Sequence, residues 1–194
     1  MKLHCLIQLL ISALILLGLI FNIRNSRLFN FYDHLLHHKL VKNRDGKIWK
    51  VITVLNEPKV IVVWDFLLAG LLVFFHHSWL ALWSLGTLAV TDAVGIFLKH
   101  SVKRKRPLSM RTYRDGYSFP SGHVLSATIM SLMLWQIFGH IMGIWLLITL
   151  IIAWGLVVVS RLNMRAHYPS DVLGATTLAL FCFTIAQQLL GLAF

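Results

Sequence analysis

From His123 to Ser160 the sequence carries no Asp, Glu, Lys or Arg. Apolar runs of about twenty residues cross the hydrocarbon of a bilayer as helices, because each helical residue adds about 1.5 Å of rise. Six such runs are read along the chain, at roughly 4–22, 60–76, 78–98, 123–139, 141–160 and 172–193. The second is short and carries Asp65; the third carries Asp92. The expected fold class is an all-α membrane protein with six transmembrane helices, in one integral-membrane domain over 1–194. With 58% hydrophobic and 13% charged residues, the composition excludes an ordinary soluble domain. Lys2 gives the first run a positive start, but no small-residue cleavage site precedes Asn22, so it is read as a retained helix rather than a signal peptide. Cys5 and Cys182 lie inside spans and have neither zinc-site nor disulfide spacing; they are read as small core residues.

The net charge of +11 is bunched beside the spans. Anionic lipid headgroups are therefore the expected partners, and no nucleic-acid module is visible. Residues 23–59 hold two amphipathic patterns. Leu28, Phe29, Tyr32, Leu35, Leu36 and Leu40 recur at helical spacing, and after a turn at Asn43-Arg44-Asp45-Gly46 come Ile48, Trp49, Ile52 and Leu55. Two short helices in the headgroup region are expected, either as a packing element or as a collar gripping lipid. Parity then sorts the connections. The stretch 23–59, the loop 99–122 and the loop 161–171 must share one side of the membrane, while the opposite turns near His77-Ser78 and Gly139-His140 carry no Lys or Arg.

The shared face gathers residues with chemistry. Lys99, Arg106, Arg161 and Arg165 are cations. Ser121 and Gly122 open a helix whose free N–H groups and dipole favour an anion. His123 and His167 can transfer protons or attack, and Asp171, four residues after His167, can orient that imidazole if the segment is helical. Fixed cations, a helix N-terminus and two histidines suit phosphoryl transfer.

The order of these residues carries a resemblance. "KHSVKRKRP" runs from Lys99 to Pro107, "PSGH" from Pro120 to His123, and "SRLNMRAHYPSD" from Ser160 to Asp171. The ordered set resembles the type-2 phosphatidic acid phosphatase family of membrane lipid phosphatases, and the six-span layout extends the resemblance over most of the chain. It implies that His167 is a nucleophile forming a phosphohistidine, that Asp171 holds its ring, and that His123 protonates the leaving oxygen. It implies further that Lys99, Arg106, Ser121, Gly122 and Arg161 bind the phosphate oxygens, with no metal and no cofactor. Arg165 departs from the family's usual small residue and would add a phosphate contact or snorkel to the interface. Candidate substrates are phosphatidylglycerophosphate, phosphatidic acid and undecaprenyl diphosphate.

Other readings remain open at this point. Two histidines and a carboxylate can bind a transition metal, but Lys99, Arg106 and Arg161 would repel a dication. Vanadium haloperoxidases resemble the site but are soluble. A transporter or binder of phosphorylated lipid would need neither the second histidine nor Asp171. Lys103, Arg104 and Lys105 read as a solvated interfacial patch attracting lipid. Asp92, two turns before Lys99, is expected either to partner a site cation or to anchor a hydrogen bond. Trp79 and Trp135 read as interface anchors or core. The basic loops favour a cytoplasmic motif face. The resemblance implies a bacterial plasma-membrane protein with its active site on the extracytoplasmic face, and that placement is adopted because the site cations serve phosphate.

Overall fold

The structure, a computed structural model, describes residues 3–40, 46–107 and 116–191. Among these, seven helices follow one another and no strand occurs: α1 (Leu3–Asn25), α2 (Arg27–Leu40), α3 (Lys47–Leu55), α4 (Pro58–Phe74), α5 (Ser78–Val102), α6 (Gly122–Asn163) and α7 (Pro169–Gly191). The expected turn at Asn43-Arg44-Asp45 and the last residues of the expected sixth span lie outside the described residues. The local chemistry explains the boundaries. Pro58 and Pro169 each stand at a first helical turn, where the missing N–H has no partner to lose. Lys103 closes α5 in the left-handed conformation, its N–H returning to the Lys99 carbonyl.

Among the described residues four helices are long and apolar enough to cross a membrane: α1, α5, α6 and α7. At 17 residues, α4 is shorter than these, and its buried stripe includes Ile61, Asp65, Leu68 and Leu72. The 42 residues of α6 do not form one rod. Gly143 has φ 57 and ψ −146, a conformation that only glycine adopts cheaply. Trp154 Nε1 donates to Thr128 Oγ1 at 3.1 Å. In a straight helix those residues would stand about 39 Å apart, so the chain reverses at Gly143 and its two arms pack antiparallel. The reversal therefore comes a few residues after the expected break at Gly139-His140, because no polar residue marks the turn.

The core lies between α4, α5, both arms of α6 and α7, around Leu88, Ile129, Met133, Leu178 and Ala179. Gly95 lets α5 close on α6: a Cβ there would stand 2.3 Å from Leu125 Cδ2. The outward faces of α1 and α4 remain apolar, as a bilayer requires (Leu14, Phe21, Phe66, Phe74). Cys5 is buried and Cys182 half-buried, both as free thiols. Trp79 is largely exposed on the outer surface, and Trp135 borders the groove between the arms of α6.

The segment between α1 and α4 is amphipathic with its polarity turned inward. On α2, Leu28, Phe31, Tyr32, Leu36 and Leu40 are exposed, while Asp33 and His37 are buried. On α3, Ile48, Val51 and Val54 point outward and Thr53 is buried. Outward, these helices carry apolar side chains interspersed with Arg27, His34, His38, Lys39, Lys47 and Lys50, while Asp33, His37 and Thr53 turn toward the protein beneath.

Candidate active site

The ends of α5, α6 and α7 converge beneath α2 and α3. Pro120 ends a short irregular stretch, and Ser121 takes the N-cap position of α6. Its backbone N–H bonds the Asp171 carbonyl at 3.2 Å, joining the start of α6 to the first turn of α7. The sequence suggests a capping hydroxyl at Ser121, but no side-chain cap forms. The hydroxyl is fully buried with no hydrogen-bond partner among the described residues, at a helix N-terminus whose free N–H groups favour an anion. Gly122 follows, where a Cβ would stand 3.8 Å from Lys99 Nζ. Lys99 therefore reaches the opening of α6 from the last turns of α5. His123, the second residue of α6, is half-buried.

His167 lies in the bend between α6 and α7 and is 1% exposed. Its Nδ1 is 2.9 Å from the Ser118 carbonyl and 3.7 Å from Asp171 Oδ2. A carbonyl only accepts, so this contact is a hydrogen bond when Nδ1 carries the proton. In that tautomer Nε2 keeps its lone pair. The structure thus puts two groups against Nδ1: the Ser118 carbonyl at hydrogen-bond distance and Asp171 as nearby negative charge.

The approach of Asp171 to His167 does not come from a continuous helix. The carboxylate reaches back from the first turn of α7, and Oδ2 accepts the Tyr168 N–H at 2.9 Å. This is the side-chain half of a capping box, which ties the residue after His167 to a helix start. The other oxygen, Oδ1, accepts from Arg104 Nη1 at 2.8 Å.

Arg104 corrects the reading of a solvated basic patch. Lys103 and Lys105 are exposed, but Arg104 is buried, bridging Asp171, Ser170 and Asp33 and lying 4.2 Å over the Tyr168 ring. A guanidinium can fork between several acceptors, which a solvated neighbour has no occasion to do. Sequence reasoning missed three parts of the site: Arg104, Asp33 and the Ser118 carbonyl. The signal available for Asp33 was its place with His37 on the polar face of α2.

The other cations frame the same space. Arg106 donates from Nη1 to the Ala166 carbonyl at 3.2 Å and from Nε to the Gly116 carbonyl at 3.3 Å. Arg161 is 1% exposed, with Nη1 3.4 Å from Thr53 Oγ1 on α3. The charges of Arg106, Asp171, Arg161 and Asp92 all act on Lys99. Asp92 accepts from Ser126 Oγ at 2.9 Å, so it both anchors α6 to α5 and offers charge to Lys99. Arg165 sits in a left-handed turn, half-buried, and its charge acts on His37.

Burial holds His167 well below the usual imidazole range, at about 4, against the raising pull of Asp171 and with Arg161 and Arg106 adding to the lowering. Burial also lowers His37, on α2, to about 4, with His38 and His34 assisting. The unfolded chain therefore binds protons on these residues that the folded chain refuses. Their contribution to stability is present above about pH 6.5 and is lost as pH falls toward about 4. Thermal unfolding in detergent is expected to show Tm falling over that window. His37→Leu should flatten part of the decline, and an unchanged slope would contradict the assignment.

Two comparisons with known proteins bear on this geometry, and a comparison with curated proteins finds no match. The fold is similar to that of a transmembrane PAP2 type phosphatidylglycerolphosphate phosphatase from Bacillus subtilis, with TM-score 0.84 and 21% identity, covering 95% of this chain and 96% of that one. The sequence matches the PAP2 superfamily over residues 80–192, a stretch that holds Lys99, His123, Arg161, His167 and Asp171. With more than half of its length matched, and with the matched part carrying the convergent helix ends, the chain belongs to the PAP2 superfamily.

Proposed function

We propose that the chain is a membrane lipid phosphatase that hydrolyses a phosphomonoester or diphosphate headgroup through a phosphohistidine on His167, without a metal. The observation that carries this reading is the Nδ1 contact of His167 with the Ser118 carbonyl, which leaves Nε2 nucleophilic beside Lys99, Arg106 and Arg161. Nε2 attacks phosphorus, and the bond from phosphorus to the lipid oxygen breaks. His123 gives that oxygen a proton. A water then attacks the phosphohistidine with His123 as base, the P–N bond breaks, and phosphate leaves. Lys99, Arg106 and Arg161, with the Ser121 hydroxyl and the Gly122 backbone, bind the phosphoryl oxygens as charge builds. Three cations already supply the neutralisation that a metal would bring, and they repel a dication.

In this reading one membrane domain crosses the bilayer six times, by α1, α4, α5, the two arms of α6, and α7. A 17-residue α4 is at the short end of spanning length. We rank phosphatidylglycerophosphate first among substrates, with phosphatidic acid and undecaprenyl diphosphate behind it; the similarity of fold to a phosphatidylglycerolphosphate phosphatase supports that order. The site faces away from the cytoplasm in a bacterial plasma membrane. A reporter fused after Phe194 and active only outside the cell would overturn that placement.

The test is phosphate release by the purified protein in detergent with chelator present, compared across the three lipids. Release from at least one supports the reading, and the ranking assigns the substrate. Binding of these lipids without release would favour a transporter or binder.

A further inference from the structure

Behind the nucleophile lies a chain of charges that the phosphoryl-binding residues do not account for. Asp171 Oδ1 accepts from Arg104 Nη1 at 2.8 Å, and the same Nη1 reaches Ser170 Oγ at 2.6 Å. The opposite nitrogen, Nη2, donates to Asp33 Oδ2 at 2.6 Å and to Asn30 Oδ1 at 3.2 Å. Asp33 also receives the Ser170 N–H at 3.2 Å and the Ser170 hydroxyl. Asp33, Arg104, Ser170 and Asp171 are all at least nine-tenths buried. They come from α2, the segment after α5, and α7, so the arrangement is not local chain geometry.

We infer that Arg104 and Asp33 are positioning residues that act through Asp171, fixing its carboxylate beside His167 and setting the net charge behind the nucleophile. The inference rests on the phosphohistidine reading above. Its logic is a charge count. Arg104 alone would cancel Asp171 and leave nothing to balance the positive ring that forms when His167 attacks phosphorus. Asp33 returns one negative charge, so the set of Asp33, Arg104 and Asp171 keeps a net charge of about −1. The fork of Arg104 directs Oδ1 away from the nucleophile, which leaves Oδ2 for Tyr168 N–H and for His167. Because Asp33 belongs to α2, this balance exists only while α2 is docked over the site.

The remaining groups facing His167 form a fixed background. Lys99 comes from α5, Arg106 from the segment after it, and His123 and Arg161 from the two ends of α6. Tyr168 adjoins the nucleophile, and His37 of α2 packs near the Tyr168 ring. None of these changes in the variants below.

The experiment follows kcat/KM for a phosphorylated lipid in detergent from about pH 3.5 to about pH 8, because this ratio reports ionisation of the free enzyme. Four proteins are compared: wild type, D33N, R104Q and D33N/R104Q. Wild type keeps a net charge near −1 behind His167. R104Q leaves about −2, which favours the protonated ring, so the acid limb moves up by about one pH unit. D33N leaves about zero, so the limb moves down and the profile flattens above pH 4. The double variant restores about −1 and returns the limb to the wild-type position.

A purely structural clamp would lower activity in step with the folded fraction and leave the limb where it was; that result overturns the inference. Shifts of the same sign in R104Q and D33N, or no return in the double variant, overturn it too. If R104Q does not fold, D33N and R104K decide. R104K keeps the charge but loses the fork, so kcat should fall about tenfold or more with the limb in place, and unchanged kcat would overturn the inference. A wild-type protein that releases no phosphate from any phosphorylated lipid marks failure of the phosphatase reading itself, and the inference falls with it.

Discussion

His167→Ala is expected to lower phosphate release by a factor of about 10⁴ or more while the protein still folds and still binds phosphorylated lipid. The size follows from the role. An alanine leaves Lys99, Arg106 and Arg161 in place, so anion binding survives, but it removes the atom that would attack phosphorus. The fold should tolerate the change. Among the described residues His167 meets the Ser118 carbonyl and the Asp171 carboxylate, and its removal leaves the Ser118 oxygen without that partner at a cost of about 1–3 kcal/mol. Asp171 keeps Arg104 and the Tyr168 N–H, so no buried charge is stranded. Activity and lipid binding should therefore separate in this variant. Loss of both together, or activity within tenfold of wild type, would contradict the assigned role.

The second large effect is expected at a residue with no polar side chain, one turn after Asp171 on α7. Gly174→Ala on α7 should cost about 1–3 kcal/mol of stability and most of the activity. A Cβ at Gly174 would stand 2.3 Å from Phe119 Cε2 and 2.6 Å from Cζ. The Phe119 ring is completely buried, so it has no space into which to retreat. Phe119 also sits between Ser118, whose carbonyl orients His167, and Pro120-Ser121, which start α6. Displacing the ring by a fraction of an ångström misplaces both the His167 hydrogen bond and the start of α6. Geometry this strict is where small shifts cost large factors in rate. The check is Tm in detergent together with turnover. A control at Gly86, where an added Cβ meets nothing within 4 Å, should change neither.

The distribution of legible and illegible features has a physical basis. Lipid allows only closed hydrogen bonding, so apolar runs announce α1, α5 and α7 directly. The reversal at Gly143 is harder to place because its neighbours, Ile141, Met142 and Ile144, are as apolar as the arms they join. The inward polarity of α2 was visible only as a pattern; which face meets protein depends on Arg104, 71 residues away. Arg104 itself looks like Lys103 and Lys105 in sequence, and only the buried acids around it set it apart. Lys99, His123, Arg161, His167 and Asp171 could be singled out because they fall, in order, within "KHSVKRKRP", "PSGH" and "SRLNMRAHYPSD". The Ser118 carbonyl could not, because a backbone oxygen leaves no mark in composition.

The most direct test of the account is to mix the protein with a lipid carrying a radiolabelled phosphate, in chelator, and to quench within a turnover. The account predicts label on the chain, stable in alkali and released by acid as a phosphoramidate is, mapping to the peptide that contains His167 and absent from His167→Ala. Phosphate released at full rate with no label on the chain at any quench time, or label retained in His167→Ala, would contradict it.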